Sequence, residues 1–293
     1  FNTGYMTNLG VLYGLLQTGD VVFSDELNHA SIIDGCRISR CKVVVYKHND
    51  MADLQRLLET EIVTGQRFIV TDGVFSMDGD IADLPSLAVL KKQFNAFLIV
   101  DDAHGVGVIG NDGSGTASHY GLTDVIDLQV GTLSKALAAE GGYVAGKKIL
   151  IDYLINRSRP FIFSTALAPA TLAAANAALL LLQTQASKYL DSLRANSRLM
   201  RRLLLEGGLN VVEGITPIIP VVIGEAGLTM QFADRLKSKG ILVSGIRPPT
   251  VPRGESRLRI TVTAAHCEEQ LRQAAQIITA LWQELKHGEK KEG

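Results

Sequence analysis

The chain has 293 residues, of which 46% are hydrophobic, and 29 Lys+Arg stand against 30 Asp+Glu for a formal net charge of -1. That balance lacks the basic field that draws a protein to nucleic acid or to an anionic membrane, and it leaves a small neutral or mixed-charge substrate. Three cysteines, Cys36, Cys41 and Cys267, leave an odd thiol and show no CxxC spacing, which argues against a disulfide framework or a cysteine zinc site and for a reducing cytoplasm.

The chain opens FNTGYMTN without an initiator Met, a basic n-region or a signal-type apolar run, and it reads as part of something longer. From there short apolar runs alternate with helical patterns. Leu9, Leu12 and Leu16 share a helical face; DVVFSD and CKVVVYK read as buried strands; Leu54, Leu57 and Leu58 follow the capping residues Asn49 and Asp50; RFIVTDG is a strand; Leu87, Leu90 and Phe94 follow Pro85; and AFLIVDD and LQVGTL are strands again. This alternation predicts an α/β fold with a mostly parallel, doubly wound sheet. The alanine-rich TALAPATLAAANAALLLLQ, interrupted by Pro169 and Asn176, reads as a buried core helix rather than a membrane span. Helices are expected around 168–183 and 187–206, broken near Ser187. After Gly207-Gly208 the rhythm changes: LNVVEG, PIIPVVIG, ILVSGIR and SRLRITVTA read as strands, with helices near 228–239 and 267–286. The expected domains are therefore 1–206, a large α/β domain, and 207–293, a smaller C-terminal α+β domain whose tail GEKKEG frays in solvent.

In open α/β sheets ligands sit outside the carboxyl ends of the strands. Asp101, Asp102 and His104 end one strand, Asp72 and Ser76 end another, and Thr132, Ser134 and Lys135 follow a third. An apolar run ending in two carboxylates needs a cation, because an isolated buried carboxylate costs several kcal/mol or neutralises. Three readings compete. Gly105-Val106-Gly107-Val108-Ile109-Gly110 matches a dinucleotide fingerprint, but Asn111-Asp112-Gly113-Ser114-Gly115 would break the helix that the fingerprint opens. A metal held by Asp101, Asp102, His104 and His29 is conceivable, although consecutive strand residues point to opposite faces. The third is pyridoxal phosphate (PLP): Asp101 to keep the pyridine nitrogen protonated, Lys135 to hold the aldehyde as a Schiff base, and Thr132 and Ser134 as phosphate donors. Each residue also has a bland reading: His29 as an N-terminal polar residue of a helix, Asp101 as a satisfied strand end, Lys135 as a solvated loop residue, Arg259 as a surface strand residue, and Ser164-Thr165 as a cap ahead of Pro169.

NHASIIDG, TDGVFSMDGD, VDDAHGVGVIG, GTLSKAL, RSRPFIFSTALAPA and IRPPTVPRGESRLRITVTAAH, in this order over nearly the whole chain, resemble the α-oxoamine synthases, fold-type I PLP enzymes. The resemblance implies a homodimer with PLP on the large domain and a decarboxylative condensation of an amino acid with an acyl-CoA or acyl-carrier-protein thioester. The C-terminal segment is most similar to the member that joins L-alanine to a pimeloyl thioester; the member that joins glycine to acetyl-CoA is the alternative, and an aminotransferase is a further one. Carried over by position, Asp101 pairs with the ring nitrogen, His104 with the phenolic oxygen, and His29 stacks on the ring. Gly4 and Tyr5 open a helix toward the phosphate. Asp72 and Ser76 position the cofactor, Thr132 binds the phosphate, Ser164 and Thr165 reach the phosphate of the neighbouring subunit, Arg259 grips the amino acid carboxylate and Thr250 touches the acyl substrate. No metal is implied. Relatives carry a segment ahead of FNTG, which is expected to be missing here.

Overall fold

The computed structural model describes the backbone of residues 1–292 and the side chains of residues 1–286. The tail expected to fray lies outside the described side chains. In chain order the elements are α1 (Gly4–Leu15), β1 (Val21–Asp25), α2 (Ala30–Ile38), β2 (Lys42–Tyr46), α3 (Met51–Thr60), β3 (Arg67–Asp72), α4 (Leu84–Gln93), β4 (Ala96–Asp101), α5 (Thr116–His119), β5 (Leu128–Thr132), β6 (Gly142–Gly146), α6 (Lys148–Arg157), α7 (Arg159–Ile162), α8 (Pro169–Glu206), β7 (Ile218–Gly224), α9 (Ala226–Ser238), β8 (Ser244–Ile246), β9 (Ser256–Thr261) and α10 (Glu268–Glu292).

The chain divides into two compact units, Phe1–Phe75 with Ile81–Ala186, and Ser76–Asp80 with Ser187–Gly293. In the first, a six-stranded sheet runs β2-β1-β3-β4-β5-β6, with every pairing parallel except β5 to β6. Strand residues alternate between two cores, as the period of a strand requires. Phe23, Ile69, Leu98 and Val100 join Leu54, Leu58 and Leu87 of α3 and α4 on one face. On the other face Val22, Val70, Ile99 and Val130 join Val11 and Leu12 of α1, Ile32 of α2 and Leu154 of α6. The sheet is therefore doubly wound, and the chain reverses direction across it between β1 and β3, where such folds place ligands.

Local chemistry starts the helices where the sequence places them. The Asp50 carboxylate accepts from the Asp53 N–H at 2.9 Å ahead of α3, and Asp83 accepts from the Ser86 N–H at 3.1 Å ahead of α4, whose first turn holds Pro85. The pattern misses β6, because GYVAG offers few apolar residues and its glycines serve close approach. A Cβ on Gly142 would come within 2.3 Å of Thr7 Oγ1 and 2.9 Å of Gly4 Cα, so only glycine lets the first turn of α1 lie on this strand.

The second unit has a three-stranded antiparallel sheet, β7-β9-β8, with a core of Met200, Leu204, Val221, Phe232, Leu258, Ile278 and Trp282. It includes residues 76–80: the buried Arg257 guanidinium pairs with Asp78, and Thr216 Oγ1 donates to the Gly79 carbonyl at 2.6 Å. The division differs from the expected boundary at Gly207. Helix α8 kinks at Gln185 (φ -135°, ψ 20°), and its second half carries Met200 and Leu204 into the core of the small unit. Gly207-Gly208 ends a helix rather than a domain: the Gly207 N–H bonds to the Leu203 carbonyl and Gly208 has φ 75°. LNVVEG forms only an isolated bridge, Val211 to Val221, in place of the expected strand.

The alanine-rich segment also departs from expectation. It forms the first half of α8, but Leu172, Leu179, Leu180 and Leu181 are exposed rather than in a core. Among the described residues no helix is long and apolar enough to cross a membrane. For the small unit, Leu258→Ala removes a fully buried side chain and is expected to cost about 2–5 kcal/mol; a lowered denaturation midpoint, followed by the fluorescence of the single tryptophan Trp282, measures it.

Candidate active site

The parity of β4 decides what Asp101 faces. Leu98 and Val100 pack on the α3–α4 side and Ile99 on the α1–α2 side, so Asp101 follows Ile99 toward α1. Its side chain is buried there, 6% exposed, and its two oxygens accept from Asn8 Nδ2 at 2.5 Å and from the Ala103 N–H at 2.9 Å. Asp102 takes the opposite face and accepts both the Thr116 N–H at 2.7 Å and the Thr116 hydroxyl at 2.9 Å. It clamps the 103–116 turn, and a Cβ on either Gly105 or Gly115 would meet its carboxylate at 1.9 Å. That separation removes Asp102 from any shared metal site, and among the described residues no group of three His, Cys, Asp or Glu is placed to hold a metal ion. The turn that follows β4 contains no helix at the Gly105-to-Gly110 stretch, as expected from its sequence.

Asp72 ends β3 directly beside Asp101, its register partner on the parallel strand, and is 7% exposed. Burial and then the charge of Asp101 push its carboxyl well above the usual carboxylate range, against the pull of the His29 N–H and of Lys135. The bond to His29 is a backbone one: the His29 N–H donates to Asp72 Oδ2 at 2.8 Å, so Asp72 orients the loop that carries the imidazole rather than the ring itself. Asn28 fixes the same loop, donating to the Val70 carbonyl and accepting from the Asp72 N–H, each at 2.8 Å.

His29 is the N-cap of α2, where its Nδ1 accepts from the Ser31 N–H. Its imidazole is lowered in pKa, mainly by burial, with Asp101 pulling it up and Lys135 pulling it down. Lys135, at the surface after β5, is thus close enough to act on both His29 and Asp72. The outer edge of His29 meets Tyr5, with ring centroids 6.5 Å apart at 79°; the Tyr5 hydroxyl donates to Asp34. His104 is half-buried in the turn three residues beyond Asp101.

Gly4 at the start of α1 lies against Thr132 at the end of β5, so that a Cβ on Gly4 would meet Thr132 Cβ and Oγ1 at 3.1 Å. Thr132 and Ser134 hydroxyls are 2.8 Å apart. A helix N-terminus and two hydroxyls therefore converge, a set of donors suited to a phosphate. Ser164 and Thr165 are held near the same end of α1: Ser164 Oγ contacts Met6 Sδ at 4.0 Å, and Asn2 donates to the Thr165 carbonyl at 3.0 Å.

Ser76, Thr250 and Arg259 belong to the second unit. Arg259 sits on β9 opposite Pro220 and Ser244; its Nε donates to the Ser76 carbonyl and its Nη1 to the Thr261 hydroxyl at 3.3 Å, which fixes the plane of the guanidinium. Burial lowers its pKa. Thr250 is exposed in the turn after Arg247, to whose carbonyl its N–H donates. Sequence reasoning passed over Asn8 and Ser31. The available signal was Asn8 one helical turn after Gly4, on the side of α1 that carries Val11 and Leu12, an amide where the pattern calls for an apolar residue.

Burial holds the Asp102 carboxyl up at about 6, above an unfolded value of about 3.9. Its ionisation in the fold therefore opposes stability: the contribution is fully favourable below pH ~4 and declines as pH rises to ~6. Asn can accept the Thr116 N–H on Oδ1 and donate from Nδ2 to the Thr116 hydroxyl oxygen, reversing that second bond, so Asp102→Asn is expected to gain up to ~3 kcal/mol relative to the parent between pH 4 and 6, read from denaturant midpoints at each pH.

The chain matches the aminotransferase class I and II family over residues 1–278. It is 51% identical over 271 residues to the 8-amino-7-oxononanoate synthase of Lysinibacillus sphaericus, spanning 92% of this chain and 69% of that protein. Among solved structures it is similar to that enzyme from Francisella tularensis, with 32% identity, TM-score 0.83 and coverage of 98% and 82%. It is also similar to a variant of serine palmitoyltransferase from S. paucimobilis with a bound PLP–myriocin aldimine, with 30% identity, TM-score 0.94 and coverage of 98% and 72%. The residues fit PLP: two adjacent buried carboxylates call for a cation such as a protonated pyridine nitrogen, and a lysine follows the same strand, β5, whose end carries the donors suited to a phosphate. The chain belongs to the α-oxoamine synthases, fold-type I PLP enzymes of the class I and II aminotransferase family.

Proposed function

We infer that this chain catalyses the decarboxylative condensation of L-alanine with a pimeloyl thioester to 8-amino-7-oxononanoate, the biotin-pathway reaction, with PLP as cofactor. The observation that carries the reading is the buried Asp72–Asp101 pair on adjacent strands with Lys135 acting on Asp72, in a chain 51% identical to an enzyme of that name. In the net reaction a bond forms between the alanine Cα and the thioester carbonyl carbon, the C–S bond breaks to release a thiolate that is protonated to the thiol, and the alanine carboxylate leaves as carbon dioxide with a proton taking its place on Cα.

PLP, when bound, supplies the electron sink that makes a carbanion at the alanine Cα accessible. The protein does the rest. Asp101, fixed by Asn8 and the Ala103 N–H, would hold the proton on the pyridine nitrogen, and His104 would bond the phenolic oxygen. His29 would stack on the ring; its imidazole is only partly buried, which leaves a face for that role. The backbone donors of Gly4 and Tyr5, with Thr132 and Ser134, would hold the phosphate, and Asp72 and Ser76 would position the cofactor. Lys135 Nζ would be the amine that holds the aldehyde and, when free, would take the Cα proton as general base. Arg259 forks onto the alanine carboxylate, a planar geometry that lysine cannot copy, and Thr250 contacts the acyl substrate.

The working form in this reading is a cytoplasmic homodimer that takes its acyl group from CoA or an acyl carrier protein. The three cysteines are free, which suits a reducing compartment. Phe163 at 73% and Leu180 at 58% exposure, with Phe161, Leu172 and Leu181, leave large apolar side chains in solvent along α7 and the first half of α8. A second copy covers them, and Ser164 and Thr165 on this stretch then reach the partner's phosphate. Leu180→Asp is accordingly expected to shift the protein toward monomer in sedimentation equilibrium.

Borohydride reduction of the yellow protein followed by peptide mapping tests the assignment: the label is expected on Lys135, and a label elsewhere overturns it. Lys135→Ala is expected to lower turnover of alanine with pimeloyl-CoA roughly a thousandfold or more. Spectral titration is expected to favour alanine over glycine; preference for glycine, with acetyl-CoA as the productive thioester, would reassign the substrate.

A further inference from the structure

Asn8 is buried on α1, and its amide meets two partners: Nδ2 lies 2.5 Å from Asp101 Oδ2 and 2.9 Å from Ser31 Oγ. A carboxylate only accepts, so the NH2 end of the amide faces Asp101. One of its hydrogens goes to Asp101 and the other to Ser31. The Ser31 oxygen, already accepting from Asn8, has its own hydrogen left for His29 Nδ1, 2.7 Å away. The Ser31 backbone N–H reaches the same nitrogen at 3.3 Å. A ring nitrogen that receives two donors carries no proton, and the proton of the neutral imidazole then sits on Nε2.

We propose that Asn8 is a positioning residue which, through Ser31, fixes His29 as the neutral Nε2-protonated tautomer and ties the orientation of that ring to the carboxylate of Asp101. All four residues lie in one compact unit. They come from three elements and a cap, α1, β4, α2 and its N-cap, so the chain of bonds also sets the spacing between the first two helices and the sheet edge. Burial keeps the His29 ring on the neutral side, in agreement with the donor count. The consequence for the reaction rests on the function proposed above. His29 Nδ1 is occupied and takes no proton, and Nε2–H is a donor, so His29 offers a hydrogen bond to a substrate oxygen while proton removal falls to Lys135.

The test reads the tautomer directly. Holoprotein labelled with 15N-histidine is examined by long-range 1H–15N correlation, with His29→Gln identifying the ring signals among the six histidines. The expected result is a single neutral tautomer with an unprotonated, hydrogen-bonded Nδ1. Asn8→Ala and Ser31→Ala are each expected to change the tautomer ratio by about tenfold, and the double variant no further than Ser31→Ala alone, since Asn8 acts only through the serine. A proton on Nδ1 in the parent protein overturns the proposal, as does an Asn8→Ala protein whose His29 signals stay in place. Where Asn8→Ala does not fold, an unchanged Nδ1 signal in Ser31→Ala overturns it equally. A protein that binds no PLP but shows the expected His29 spectrum supports the relay and removes the proposed function; a yellow protein with Nδ1 protonated does the reverse.

Discussion

The carboxylate of Asp101, buried at the edge of a parallel sheet beside a second buried carboxylate, is the constraint around which the first unit is organised. An unpaired buried carboxylate costs several kcal/mol, and each hydrogen bond to a charged group returns about 1.5–3 kcal/mol. Asp101 receives two such bonds, from Asn8 and from the Ala103 N–H. Asp72 at the same level of the next strand raises the electrostatic cost again, since two carboxylates cannot easily ionise side by side. A site of this kind holds a cation, and the positive ring nitrogen of PLP is one that also needs a carboxylate to remain protonated. The demand extends back into α1, which turns the polar Thr7 and Asn8 toward the interior where an ordinary helix would bury only apolar residues.

The rest of the unit keeps that edge rigid. Asn28 bridges the ends of β1 and β3, and Asp102 clamps the turn after β4 through Thr116. Asp25, at the end of β1, accepts from the backbone of Leu27 and Asn49 and pairs with His48. Each of these polar side chains replaces a loop's missing backbone partners, so the functional side chains stand on segments that are hydrogen-bonded rather than loose. Gly142 contributes by having no side chain: the start of α1 occupies the space a Cβ would need, which brings a helix N-terminus and its backbone donors to Thr132.

The second unit is stabilised independently by its own core around Phe232 and Trp282, whose rings stack with centroids 5.7 Å apart. It captures residues 76–80 from the middle of the first unit's sequence through the buried Arg257–Asp78 pair and through Arg259 to the Ser76 carbonyl. A motif that reads as one piece, TDGVFSMDGD, is thereby shared: Asp72 serves the sheet edge, while Ser76, Asp78 and Gly79 belong to the small unit. Arg259 and Arg257 alternate along β9 with Leu258 of the core between them, so strand parity sets the side on which each guanidinium is offered.

Strand runs such as AFLIVDD and RFIVTDG and the cap Asp50 were legible because local pattern and backbone chemistry suffice for them: a short continuous apolar run fits a strand buried on both faces, and a carboxylate before a helix satisfies its free N–H groups. Asp101, Lys135 and Thr132 were legible as types of residue at strand ends, and the motifs in order pointed to the family. Three things depended on the tertiary structure. Strand β6 was hidden because its glycines are chosen for contact with α1, not for periodicity. The division at Ser187 rather than Gly207 follows from where Met200 and Leu204 pack, which no local pattern records. The partnership of Asn8, Ser31, His29 and Asp101 joins positions up to 93 residues apart; the sequence by itself determined which groups were present and which face each strand residue takes, and only the packing of α1 and α2 against β4 decided which of those groups share a hydrogen, because that depends on distances set by side chains far apart in the chain.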